Sequence, residues 1–272
     1  MSQALLAHLV LHPKVSQSLK VLSTTVGRDK VYRLIQYASR LIAWYILRSG
    51  GPAAKEAAMR WDGLKSGLAS GRKMLRLVKP MEHLQSALNT ANTPVRSRSL
   101  TPLASPLASF AQVVRQLCYA GYLSTDMIVW LQSVKFLRLN ADKHSRINKI
   151  SQRFWMYGII SSLVSSVASL VRLRAEGRRL ALSRSISSSS EKGGPEGGDE
   201  GQRREEGKRL LTERATLVSQ VVQDSMDFWL PANNLGITTL NDGVIGALGA
   251  ATSYMALQQQ WIKVNGLPGK AK

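Results

Sequence analysis

GLKSGLASGRKMLRLVK, residues 63–79, decides how this chain is read. At about 100° per residue on a helix, Leu64, Leu68, Gly71, Leu75 and Val78 share one face, with Gly67 and Met74 at its margins. Lys65, Arg72, Lys73, Arg76 and Lys79 take the adjoining flank and the opposite face, and no acid interrupts the run. A soluble surface helix usually mixes signs so that i,i+4 pairs form. The two glycines on the apolar side pack a core poorly and cost about 1 kcal/mol each in helix propensity. A narrow apolar stripe with a purely cationic polar face suits the boundary between hydrocarbon and anionic head groups. The outside of a globular core and a helix lying on nucleic acid remain competing readings of the same pattern.

The rest of the composition points the same way. The chain has 272 residues, with 37 Lys and Arg against 17 Asp and Glu, a net charge of +20. Such an excess calls for an anionic partner. It is concentrated in residues 1–152, which hold 22 basic and 6 acidic side chains. Cys118 is the only cysteine, so no intramolecular disulfide and no cysteine-based metal site is expected. The opening MSQALLAHLVLHPK lacks the basic segment and cleavage site of a secretory signal.

Hydrophobic periodicity predicts an all-α chain. Val15, Leu19, Leu22 and Val26 recur at helical spacing, and after Gly27 a broad stripe runs from Val31 to Tyr45. Residues 1–88 are expected to form a basic helical module containing the cationic helix, and 89–107, rich in Ser, Thr and Pro, a flexible linker. Residues 108–152 read as a helical pair broken at Gly121, with Ser124 as an N-cap. Phe154–Val171 is uncharged for eighteen residues, so 153–173 reaches the lower limit of a bilayer span, although serines at 161, 162, 165, 166 and 169 make it less apolar than most. Residues 174–209 read as a disordered loop, and 210–272 as terminal helices. Within the latter, 243–262 is a second uncharged run and a second candidate membrane helix near the carboxyl end. There Gly243, Ala247 and Ala251, and likewise Gly246 and Ala250, stand four apart, a spacing that lets helices associate closely in lipid. Two buried helices of a soluble α domain are the competing explanation of the two runs.

No catalytic, cofactor-binding or metal-binding residue is expected. His8 and His12 lack a third ligand, Asp224 and Asp227 read as a helix end, and no phosphate loop, nucleophile elbow or Ser/His/Asp pattern is present. A nucleic-acid partner is not expected either, because it rests on the isoelectric point alone and leaves both uncharged runs unexplained.

LSTTVGRDKVYRLIQYASRLIAWYI, residues 22–46, resembles the amino-terminal signature of the peroxin-11 family of peroxisomal membrane-elongation proteins. Gly27-Arg28-Asp29-Lys30, Arg33 and Gln36-Tyr37 carry the match, and Asp224, Leu235-Gly236 and residues 243–261 resemble the family's terminal membrane segment. The resemblance implies an integral peroxisomal membrane protein, its amino-terminal half facing the cytosol, that curves and elongates the organelle before fission. It implies self-association into a homo-oligomer and recruitment of a dynamin-related fission GTPase with its membrane adaptor. A channel for small metabolites is the alternative function. In the first reading Leu64, Leu68, Leu75 and Val78 wedge into the anionic leaflet. Lys65, Arg72, Lys73, Arg76 and Lys79 each contribute on the order of 1 kcal/mol of head-group attraction.

Overall fold

The computed structural model describes residues 8, 10–93, 104–190 and 197–266, and every regular element among them is a helix. In chain order these are α1 (Pro13–Ser23), α2 (Thr25–Leu47), α3 (Gly51–Met74), α4 (Lys79–Asn92), α5 (Ala104–Ser133), α6 (Ala141–Ser190), α7 (Gly197–Asp227), α8 (Trp229–Asn234) and α9 (Asp242–Asn265). They fall into two compact units. One comprises Met1–Leu77, Asp126–Leu139 and Ala232–Lys272, the other Val78–Thr125 and Asn140–Pro231.

The first unit is built around α2, which packs against α3 on one side and α9 on another. The corner into α2 uses the signature glycine. Thr24 caps α2 by accepting from the Gly27 backbone N–H at 2.9 Å, and a Cβ on Gly27 would collide with the Val21 carbonyl. His12 does the same for α1, accepting from Lys14 N–H at 3.2 Å, which gives one of the paired histidines a structural task. Helix α9 starts on an Asn241 cap that accepts from Val244 N–H at 2.9 Å, and Arg40 of α2 grips Asp242 at 2.6 Å.

The α2–α9 interface depends on glycine. A Cβ at Gly243 would strike the Trp44 indole, one at Gly246 would lie 2.8 Å from the Leu41 backbone nitrogen, and one at Gly249 would enter the Tyr37 ring. Two of the five small residues expected to face a second copy, Gly243 and Gly246, are therefore filled by this chain's own α2. Ala247 and Ala251 stand exposed and Ala250 is half-buried. Gly246→Ala should thus cost about 1–3 kcal/mol through overpacking, whereas Ala247→Leu should change stability by less than about 0.5 kcal/mol. Urea unfolding of the detergent-solubilised protein checks this, and equal midpoints would mean that α2 and α9 do not touch at Gly246.

The structure departs from the periodicity in three places. The cationic segment is not one helix over 63–79. Helix α3 ends at Met74, residues 75–78 form a turn, and α4 begins at Lys79 with Pro80 in its first turn. A proline at 80 has no N–H to donate and its ring clashes with the carbonyl four residues back, so a helix from Gly63 cannot continue through it. Helix α5 runs unbroken through Gly121 and Ser124. Gly121 serves close approach instead, since the Phe154 ring lies 3.0 Å from where its Cβ would be. Helix α6 extends to Ser190 and α7 starts at Gly197, so most of 174–209 is helical where a loop is predicted. The hydrogen bonds of the helical backbone hold a polar, charged sequence that hydrophobicity alone does not order. Most of the expected linker at 89–107 lies outside the described residues.

In the second unit α5, α6 and α7 run antiparallel in succession. Ser151 Oγ of α6 donates to the Tyr122 carbonyl of α5 at 3.3 Å, and Ser165 Oγ to the Ala108 carbonyl at 2.9 Å. Gly158 lets α6 approach Cys118 and Tyr119, which places the lone cysteine in helix packing. On the other side Ser162 Oγ donates to Asp224 of α7 at 2.5 Å and Arg172 pairs with Glu213 at 2.6 Å. From α4, His83 reaches Gln116 at 2.6 Å and stacks on Tyr119.

Candidate membrane-binding site

Helix α6 has its polarity turned inside out. Tyr157, Ile160, Val164, Val167 and Val171 recur at steps of three and four and are all exposed, Val167 at 52%. The buried face of the same segment carries Ser151, Gln152, Ser162 and Ser166 beside Ile159 and Ala168, with Ser162 only 1% exposed. A soluble core helix buries its apolar stripe and wets its serines. Here the serine hydroxyls are spent on carbonyls and a carboxylate of neighbouring helices, which is how polar groups are satisfied where no water competes. Two flanking helices share the inversion, with Leu107, Phe110 and Leu117 exposed on α5 and Leu211, Val218 and Val222 on α7. Outward apolar residues on three successive helices mark surface suited to apolar surroundings.

Length and composition agree. Among the described residues one helix, over Ala141–Ser183, is long and apolar enough to cross a membrane, with a mean hydropathy of 1.6 in its most apolar stretch. That span lies in the middle of the chain, which corrects the expectation of membrane-embedded helices near the carboxyl end. Helix α9, expected as a second span, does not meet the same measure and buries Gly243, Ile245, Gly246, Gly249, Thr252, Ser253 and Ala256 within its own unit. Basic residues bracket the uncharged run, with Lys149 and Arg153 before it and Arg172 and Arg174 after it.

The cationic segment of α3 looks different in three dimensions from its helical wheel. Arg72 and Arg76 converge on Asp29 of α2. Arg72 Nε lies 3.0 Å and Arg76 Nη2 2.9 Å from Asp29 Oδ1, and Arg72 Nη1 donates to Gln36 Oε1 at 2.7 Å. All three members of this cluster come from signature or cationic positions, and both Asp29 and Arg72 are buried. Burial alone would raise the Asp29 pKa, but Arg76 and then Arg72 outweigh it and hold the carboxyl well below the usual carboxylate range. Burial, and then the neighbouring Arg76 charge, lower the Arg72 guanidinium to about 10, so it stays charged at neutral pH. Lys73 pairs with Asp126 at 2.8 Å and Lys65 with Asp62 at 2.5 Å. Among the described residues Lys79 alone of the five cations has no carboxylate partner. The acids that neutralise the run are absent from residues 63–79 and arrive mostly from elsewhere in the chain.

The apolar side is uneven as well. Leu64 and Val78 are exposed, and Leu68 and Leu75 are half-buried. Met74 and Leu77 are also exposed, so the outward apolar set is Leu64, Met74, Leu77 and Val78. Leu77 escapes the wheel because the helix stops before it. Gly63, Gly67 and Gly71 lie beside this set with open space where their side chains would be.

Comparison with known proteins accounts for these features together. Peroxisomal membrane protein PMP27 of Saccharomyces cerevisiae is 26% identical over 257 residues, covering 93% of this chain and 97% of that protein. Peroxisomal biogenesis factor 11 of Schizosaccharomyces pombe is 22% identical over 251 residues, covering 92% of this chain and 96% of that protein. Human peroxisomal membrane protein 11B is 26% identical over 253 residues, 85% of this chain and 91% of that one. No solved structure matches the chain. The sequence profile described as "Peroxisomal biogenesis factor 11 (PEX11)" matches residues 15–261, from the first turn of α1 to the last turns of α9. An outward apolar span, a basic module whose cations pair in part within the chain and this end-to-end match lead to one conclusion: the chain belongs to the peroxisomal biogenesis factor 11 family and is a peroxisomal membrane protein.

Proposed function

We propose that this protein binds and curves the peroxisomal membrane, elongating the organelle before fission and so setting peroxisome number and size. The observation that carries this reading is the inverted polarity of α6, which supports anchorage in hydrocarbon. In a protein anchored in this way, a shallow apolar insertion has a mechanical effect. Leu64, Met74, Leu77 and Val78 displace head groups of one leaflet without spanning it, and a wedge in one leaflet favours curvature. Lys79 and the half-buried Lys65 and Lys73 add attraction to anionic lipid, and Arg72 and Arg76 add more once they leave Asp29. Multiplication of the wedge by self-association fits the exposed Ala247 and Ala251, while Gly243 and Gly246 are engaged within the chain. In this reading the amino-terminal half faces the cytosol, where a dynamin-related GTPase and its adaptor act on the elongated membrane.

Leu64→Glu with Val78→Glu tests the wedge, because both side chains are exposed and their loss leaves the fold intact. Cells carrying this double variant should keep the protein in the peroxisomal membrane but lose elongation. Elongation equal to wild type would remove the wedge mechanism and favour the metabolite channel.

A further inference from the structure

The second unit contains an open groove of about 1120 Å³ whose walls come largely from α5, α6 and α7. Five arginines line it, Arg115, Arg172, Arg179, Arg203 and Arg209, against three glutamates. Arg172 is committed to Glu213 at 2.6 Å. Among the described residues no carboxylate lies within ion-pair distance of Arg115, Arg179 or Arg209. Arg115 lies 5.5 Å from the Tyr119 ring centre, hydrogen-bonds to that residue and makes a long 3.5 Å contact to Gln112, while its Nε is buried with no acceptor. A buried N–H left unpaired costs about 1–3 kcal/mol, which an anionic oxygen at this place would recover.

The position of the groove is as informative as its charge. Ser165 and Ser169 belong to the uncharged run of α6, whereas Arg172 and Arg179 follow its end. The groove therefore opens where the outward apolar stripe, which ends at Val171, gives way to charge. Guanidinium groups bind phosphate through paired N–H donors, and hydroxyls complete such a shell. Three cations outside any contact ion pair suit a multiply charged anion, and the volume leaves room for a body larger than free phosphate. We propose that this groove binds a phosphate-bearing ligand, with Arg115, Arg179 and Arg209 as its donors. This goes beyond membrane curving and is independent of the α3 surface.

The test uses the purified full-length protein in nonionic detergent, titrated calorimetrically with dioctanoyl phosphatidic acid and, separately, with glycerol 3-phosphate. Arg179→Gln with Arg209→Gln removes two exposed donors and leaves the fold intact, and Arg115→Gln removes the third. Arg146→Gln with Lys149→Gln deletes the same charge at the opposite end of the uncharged run. Each groove variant should weaken binding about tenfold, and the control less than twofold. Binding of phosphatidic acid alone identifies a lipid head group as the source of the phosphate, and comparable binding of glycerol 3-phosphate identifies a soluble ester. Equal weakening by groove and control variants would reduce the effect to net charge and overturn the site, as would absence of binding by the wild type.

Discussion

Asp29→Ala will unfold the first unit at markedly lower denaturant, by about 3–5 kcal/mol, because it leaves the buried Arg72 charge without its counter-ion. Arg72 and Arg76 meet Asp29 at the same oxygen, Oδ1, so one substitution takes that partner from both. Asp29→Asn keeps the shape and a hydrogen-bond acceptor, so it should cost less. The effect has a definite pH dependence. The folded carboxyl sits below its unfolded value of about 3.9, so its contribution is present above that value and is lost as pH falls through it toward the folded value. The difference between wild type and Asp29→Asn should be constant from pH 7 to 5 and narrow below about pH 4. Guanidinium unfolding at a series of pH values reads both quantities, and a difference that widened on acidification would contradict the cluster. The same variant tests release of the cationic segment. With the Asp29 charge gone from Arg72 and Arg76, whatever fraction remains folded should bind anionic vesicles more tightly than wild type.

The second large effect concerns anchorage. Val164→Lys with Val167→Lys should release the protein from membranes into the supernatant on alkaline carbonate extraction, whereas the wild type should stay in the pellet. Both positions lie on the outward stripe near the middle of the uncharged run. A lysine at the centre of a span costs about 2.5–3.5 kcal/mol for insertion, so two of them exceed what an eighteen-residue run diluted with serine recovers. The matched substitution on the inward face, Ser166→Ala, should leave extraction unchanged. A double-lysine variant that remained in the pellet would place the anchor elsewhere.

Much of this architecture is written in local spacing. Helical periodicity over Val31–Tyr45 and the uncharged run of Phe154–Val171 correspond to α2 and to the heart of α6, and the signature at 22–46 identifies the family that the profile over 15–261 shows. Where local signals misled, a longer-range contact had replaced the partner that spacing implied. Gly121 looks like a helix break and is a seat for Phe154. Gly243 and Gly246 look like a surface for another copy and are seats for Trp44 and Leu41, some two hundred residues away.

By itself the sequence determined that the chain is all-α, strongly basic, apolar enough in the run at 154–171 to enter a membrane, and similar to its family; it also offered 243–262 as a second span, which the structure does not support. Those properties follow from backbone period, charge count and residue order, which need no knowledge of what folds against what. Only the tertiary structure decided that Arg72 and Arg76 point at Asp29, that α6 turns its valines outward and its serines inward, and that five arginines line one open groove. The reason is physical. A helical wheel fixes which side chains share a face, but the charge or surface that meets that face comes from segments distant in sequence. The free energy of a buried ion pair or a glycine seat exists only once the chain has brought them together.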